Sequence, residues 1–111
     1  MSDRRRIIAG NWKMNTTVAE AVELATSIAR GASPAPQVDM VICPPTCLLA
    51  PVVTATVNSA VAVGAQNLHP AANGAFTGEV SGSMLTSLGV HYVICGHSER
   101  RAMFGDTEAW V

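Results

Sequence analysis

The sequence predicts an α/β domain of four parallel strands with intervening helices, half the units of an eight-unit barrel. Three observations carry this. Four short runs, 6–10, 39–43, 61–66 and 92–95, are apolar on both alternating positions, the pattern of a parallel sheet covered on both faces. Helix-capable segments lie between them, so strand and helix alternate. The units average roughly 28 residues, close to the roughly 31 of a barrel with about 250 residues and eight units. At 111 residues the chain supplies half that number, read as one partial domain spanning 1–111.

Each element has a local reason. Arg4-Arg5-Arg6 is a solvated lead-in to the first strand; only Ile7, Ile8 and Ala9 follow before Gly10 and Asn11 interrupt, too few for a signal peptide. Thr17 and Glu20 have capping-box spacing, Val18, Val22, Ala25 and Ala29 share a helical face, and Gly31 closes that helix. After the second strand Thr46 can cap, but Pro51 must lie in or near a first turn, so the regular helix is expected over 51–58. A third helix is expected over 81–88, ending at Gly89. The 67–80 segment before it, rich in Gly, Ala, Asn and Pro, is long for a compact domain, which marks a functional loop or an interaction arm. The fourth strand runs through Cys95 and Gly96 into His97. Asp106, Thr107 and Glu108 then read as a helix start with no helix after it, and we read the chain as part of a longer protein.

Composition narrows the function. With 49% hydrophobic residues and a mean hydropathy of +0.28, disorder is excluded. Apolar blocks such as 38–43 and 61–65 are far shorter than the roughly 18 residues of a membrane span. A net charge of −1 and a pI near 6.2 give no footprint for nucleic acid or an anionic membrane, so the expected partner is a small molecule. Three cysteines without a secretory signal argue for a reducing cytoplasm and against a disulfide framework. Cys43 and Cys47 lack the second pair a zinc site needs; the thiols read as packing or loop groups, and no metal is expected. His69 and His91 read as loop and strand-start residues.

His97 is placed differently. A strand's C-terminal end meeting a helix N-terminus is the rim where parallel α/β proteins bind ligands, and that helix end favours anions and disfavours imidazolium. His97 is therefore a candidate electrophile.

Gly10-Asn11-Trp12-Lys13-Met14-Asn15, Gly74-Ala75-Phe76-Thr77-Gly78-Glu79 and Gly96-His97-Ser98-Glu99-Arg100-Arg101 resemble the triosephosphate isomerase family in order and spacing. The resemblance implies the N-terminal half of a TIM (β/α)8 barrel. It also implies interconversion of dihydroxyacetone phosphate and glyceraldehyde 3-phosphate through an enediolate, with no cofactor. His97 would be the neutral electrophile, a role for which this family is itself the known example. Lys13 would supply positive charge to phosphate and oxyanion, and Asn11 would donate its amide near the substrate oxygen. Glu99, with Ser98 beside it, would stand behind Lys13 and hold the ammonium. Thr77 would reach a neighbouring subunit, and Glu79 would pair with Arg100 across a homodimer. Trp12 and Met14 read as packing residues.

The family's base, a glutamate on a later strand end, and its glycine-rich phosphate loops have no counterpart in these 111 residues. The isolated chain is therefore expected to lack appreciable isomerase activity. Its open sheet edges are expected to make it poorly soluble. Two other readings are a non-catalytic half-barrel that assembles with another chain and a doubly wound phosphate-binding module. The second calls for a glycine-rich loop after the first strand, where Asn11-Trp12-Lys13 stands instead.

Overall fold

A computed structural model describes residues 4–111; Met1, Ser2 and Asp3, at the start of the expected 1–111 domain, lie outside the described residues. Strand and helix alternate four times: β1 (Arg6–Asn11), α1 (Val18–Gly31), β2 (Val38–Cys43), α2 (Leu49–Thr56), β3 (Val61–Ala65), α3 (Gly82–Leu88), β4 (Tyr92–Val93) and α4 (Ser98–Met103). The sheet is parallel in the order β1-β2-β3-β4, the topology expected of successive βα units. Its register sets Ile8 beside Met40, Ile42 beside Val63 and Gly64 beside Tyr92.

The sheet curls into a half-barrel, and alternation sorts its side chains onto two faces. On the convex face Ile42, Val61, Val63 and Ala65 pack against Ala21 and Ala25 of α1 and Leu49 and Val52 of α2, forming the main core. On the concave face Gly64 lets the strands beside it close in. A Cβ there would stand 2.8 Å from Cys43 Sγ on β2 and 3.2 Å from Tyr92 Cβ on β4. Lower on this face the Tyr92 hydroxyl donates to Asp39 Oδ2 at 3.1 Å, and Arg5 Nη2 donates to Asp39 Oδ1 at 2.5 Å. That cluster ties the start of β1 to β2 and β4 and fixes the curl.

Several expectations need correction. The first strand is not covered on both faces: β1 is an edge strand, with Ile7 52% and Ile8 65% exposed. α2 begins earlier than expected, at Leu49, because a single 3₁₀ turn over Thr46–Leu48 leads into it. Thr46 does not cap it, Pro51 falls in its first turn, and it ends at Thr56 rather than Asn58. In α1 Val18 is exposed and Ala21 joins Ala25 in the core, so the buried stripe is shifted from the expected one. Glu20 accepts from both the Thr17 backbone N–H and its hydroxyl, and these bonds hold its carboxyl below the usual range. Ser81 caps α3 by accepting from the Met84 N–H, and Gly89 ends it at φ 90°. β4 is shorter than 92–95, since the chain leaves the ladder after Ile94 donates to the Ala65 carbonyl and turns at Gly96, φ 62°. Residues 108–110 form one turn, closed by Trp110 and Val111 N–H groups donating to the Thr107 carbonyl. No helix among the described residues is long and apolar enough to cross a membrane.

Candidate active site

The C-terminal ends of β1, β3 and β4 deliver a set of polar residues to one rim. Asn11 closes β1, and its side-chain oxygen accepts from the Lys13 N–H at 2.9 Å, a local turn in which Lys13 takes φ 57°. A non-glycine residue in that region is strained and persists only where its surroundings hold it. Gln66, directly after β3, provides the hold: its amide donates to the carbonyls of Lys13 and Cys43, both at 2.8 Å. Asn15 adds a bond to the Trp12 carbonyl at 2.6 Å.

On the other side, Gly96 turns the chain so that His97 becomes the N-cap of α4. Its Nδ1 accepts from the Glu99 N–H at 3.0 Å. An accepting Nδ1 carries no proton, so this geometry assigns the ring hydrogen of the neutral imidazole to Nε2. Glu99 Oε2 lies 3.8 Å from Nδ1, too far for a hydrogen bond. Its other oxygen accepts from Lys13 Nζ at 2.7 Å. That bond holds the Glu99 carboxyl below its usual range, with the charge of Lys13 adding to it. Glu99 thus joins the two sides of the rim, by its backbone to His97 and by its carboxylate to Lys13.

These groups line a cleft of about 340 Å³ that includes Asn11, Lys13, Gln66, Glu79, His97 and Arg100. A larger hollow, about 560 Å³, lies at the opposite end of the strands around Arg4, Arg5 and Arg6. We assign the chemistry to the smaller one: Arg5 in the larger hollow is already paired with Asp39, and among the described residues no carboxylate or imidazole lines it. The described residues hold no group of three or more His, Cys, Asp or Glu side chains placed to bind a metal ion.

The sequence-derived site residues divide into two sets. Asn11, Lys13, His97 and Glu99 come together, with Glu79 and Arg100 on the same cleft wall. Thr77 and Ser98 are exposed and do not line it. Arg100 pairs within the chain with Asp106, Nε to Oδ2 at 3.0 Å, and its guanidinium sits 5.1 Å from the Phe104 ring centre. His69 is indeed a loop residue, yet it is buried; it accepts at Nδ1 from the Ala71 N–H and stacks on Phe76 at 4.0 Å, which folds the 67–80 segment onto itself. Sequence reasoning missed Gln66, although a polar residue directly after an apolar strand is the signal that singled out His97. Cys43 is buried, which raises its thiol above the usual value, while Cys47 and Cys95 are exposed; all three are free.

Comparison with known proteins bears on this geometry. The family model for triosephosphate isomerase matches residues 6–111. The triosephosphate isomerase of Rhodopirellula baltica is 50% identical over 108 residues, which cover 97% of this chain and 42% of that protein. Those of Clostridium novyi, at 50% over 106 residues, and Chloroflexus aurantiacus, at 49% over 105, are covered to 42% of their lengths by 96% and 95% of this chain. The chain therefore spans about two-fifths of the curated relatives it matches.

Proposed function

The chain belongs to the triosephosphate isomerase family, and from that premise we propose that its rim binds a phosphorylated triose and supplies the electrophilic half of an aldose–ketose isomerisation. Nε2–H of His97 donates to the substrate carbonyl oxygen and then to the enediolate oxygen that forms as a carbon-bound proton leaves. Lys13 stabilises the same developing negative charge and the phosphate, and Asn11 adds an amide near the substrate oxygen. Glu99 acts as a positioning residue, holding the ammonium of Lys13 in place. Ser98 sits beside it at the start of α4. The general base is a glutamate elsewhere in the family's barrel, so the 111-residue chain alone has no appreciable turnover.

The observation that carries this reading is the double role of Glu99: one residue sets the His97 tautomer and holds the Lys13 ammonium. A chimera tests it. The Rhodopirellula baltica relative, with its matching segment replaced by residues 6–111 of this chain, is expected to turn over in a coupled assay. His97→Gln in the chimera should lower kcat by about 10²–10³ while KM moves little, the effect of losing one donor to a developing oxyanion. Unchanged kcat in that variant contradicts the role given to His97.

A homodimer through the 67–80 segment belongs to the same reading. Thr77 and Glu79 are exposed on that segment, and Arg100 lies on the cleft wall without a bond to Glu79 of its own chain. The exposure of Thr77 and Glu79 on that segment is what supports pairing between copies. Three free thiols suit a reducing, cytoplasmic setting.

A further inference from the structure

The 67–80 segment is held in shape around one histidine. The His69 N–H donates to the Val80 carbonyl at 2.7 Å, so the two ends of the segment meet. The His69 ring lies 4.0 Å from that of Phe76 at an interplanar angle of 30°, and its Nδ1 accepts from the Ala71 N–H at 3.0 Å. These contacts close a small ordered loop whose tip carries Thr77. There the Phe76 carbonyl accepts from the Glu79 N–H at 2.9 Å and turns the chain through Thr77 and Gly78. Gly74 belongs to the same packing, since a Cβ on it would stand 2.6 Å from Phe76 Cε2.

An accepting Nδ1 fixes the charge state that this shape requires. The ring must be neutral with its hydrogen on Nε2, because in imidazolium both nitrogens donate and Nδ1–H would face the Ala71 N–H. The stack on Phe76 tolerates a cation; the Ala71 bond does not. His69 is 9% exposed, and the parts packed on it are its own loop, the start of α3 and the turn carrying Trp110, whose ring centre is 5.3 Å away. The loop holds one further ionisable side chain, Glu79, which lines the cleft, and α3 holds none. Asp106 and Glu108, beside Trp110, are already paired with Arg100 and Arg101. None of these carboxylates bonds to the His69 ring.

We propose that His69 is the positioning residue of the 67–80 arm: its neutral ring clamps the arm in the shape that presents Thr77, and protonation of Nδ1 releases it. Clamping is therefore complete where the ring is neutral and is lost as pH falls. The further step, that release weakens pairing between copies, rests on the homodimer reading above. His97 accepts from the Glu99 N–H across the same two-residue span, so pH alone does not separate the two histidines. Substitution at 69 does. Asparagine offers an oxygen that accepts from the N–H two residues on and does not titrate, whereas phenylalanine keeps the stack and removes the acceptor.

The chimera of the Rhodopirellula baltica relative carrying residues 6–111 tests the inference. Hydrogen exchange of the Ala71 amide and sedimentation are followed from about pH 8 to about pH 5, the range in which imidazole ordinarily gains its proton. Towards the acid end Ala71 exchange, corrected for its chemical rate, should rise and the dimer should weaken, each about 10-fold, the size of one lost hydrogen bond. His69→Asn should be flat by both readouts. His69→Phe should be flat as well, with Ala71 unprotected throughout. No acid response in the parent, an equal response in both variants, or an Ala71 amide as protected in His69→Phe as in the parent overturns the inference. A single-chain particle at every pH overturns the homodimer reading instead, and Ala71 exchange still decides the role of His69.

Discussion

The two faces of the sheet use similar residues to different ends. On the convex face, Leu49, Val52, Ala21 and Ala25 are fully buried against Ile42 and Val63, so the helices and the sheet complete one another within the chain. On the concave face Val41 and Cys43 are buried beside Gly64, but Ile7 is half exposed and the floor is polar, with Arg5, Asp39 and Tyr92 bonded together. The contrast shows that the convex layer stabilises the chain while the concave layer shapes its rim.

The sharpest way to break this contrast is to remove volume on the convex side. Leu49→Ala should cost about 2–5 kcal/mol in denaturant unfolding, because a fully buried side chain leaves a cavity between α2 and the sheet. A cost under about 1 kcal/mol would mean that the convex layer is looser than its burial indicates. The concave face should respond in the opposite sense, to added volume. Gly64→Ala places a methyl 2.8 Å from Cys43 Sγ and 3.2 Å from both Tyr92 Cβ and Val41 Cγ1. A loss of about 1–3 kcal/mol is expected, together with a weakened Tyr92–Asp39 bond as the curl opens. Unaltered stability and an unshifted Tyr92 resonance would show that the strands do not need this close approach.

The smallest effect is the pH dependence of the concave floor. Hydrogen bonding from Arg5, then from Tyr92, holds the Asp39 carboxyl below its ordinary value, and the bond to Asp39 holds the Tyr92 hydroxyl above its own. Asp39 binds its proton more weakly folded than unfolded. Its contribution to stability is therefore full above the unfolded value of about 4 and is lost as pH falls through the lower folded one. Tyr92 works in the other direction, contributing fully below its unfolded value of about 10 and losing that contribution as pH rises through the higher folded value. Asp39→Asn should flatten the acid limb of a stability–pH curve. An acid limb unchanged in that variant would assign acid sensitivity to Glu99 or Glu20, whose carboxyls are also held low.

Alternation of strand and helix, the capping box of α1 and the rim position of His97 were all legible in the sequence, because each follows from local pattern. β1 was not. Its Ile7-Ile8-Ala9 run has the apolar character of a covered strand, but exposure depends on which strands lie beside it, and that is a tertiary fact. Val18 was misplaced on the core face of α1 for a related reason: periodicity marks a stripe, while the sheet decides which edge of the stripe is buried. The lead-in of α2 was obscured because a 3₁₀ turn at Thr46–Leu48 and a cap at Thr46 share the same residue types. Within the site, Asn11, Lys13 and His97 carried their own signals. The bond from Gln66 to the Lys13 carbonyl joins residues 53 positions apart, and the strained φ of Lys13 that it supports leaves no trace in composition.

The central claim is that Glu99 makes one functional rim of two loops. Nitrogen-15 NMR of the His97 ring tests it most directly. The proton should reside on Nε2, with Nδ1 showing the shift of an acceptor, and the Glu99 amide should be protected from exchange. A ring proton on Nδ1, with a freely exchanging Glu99 amide, would contradict it.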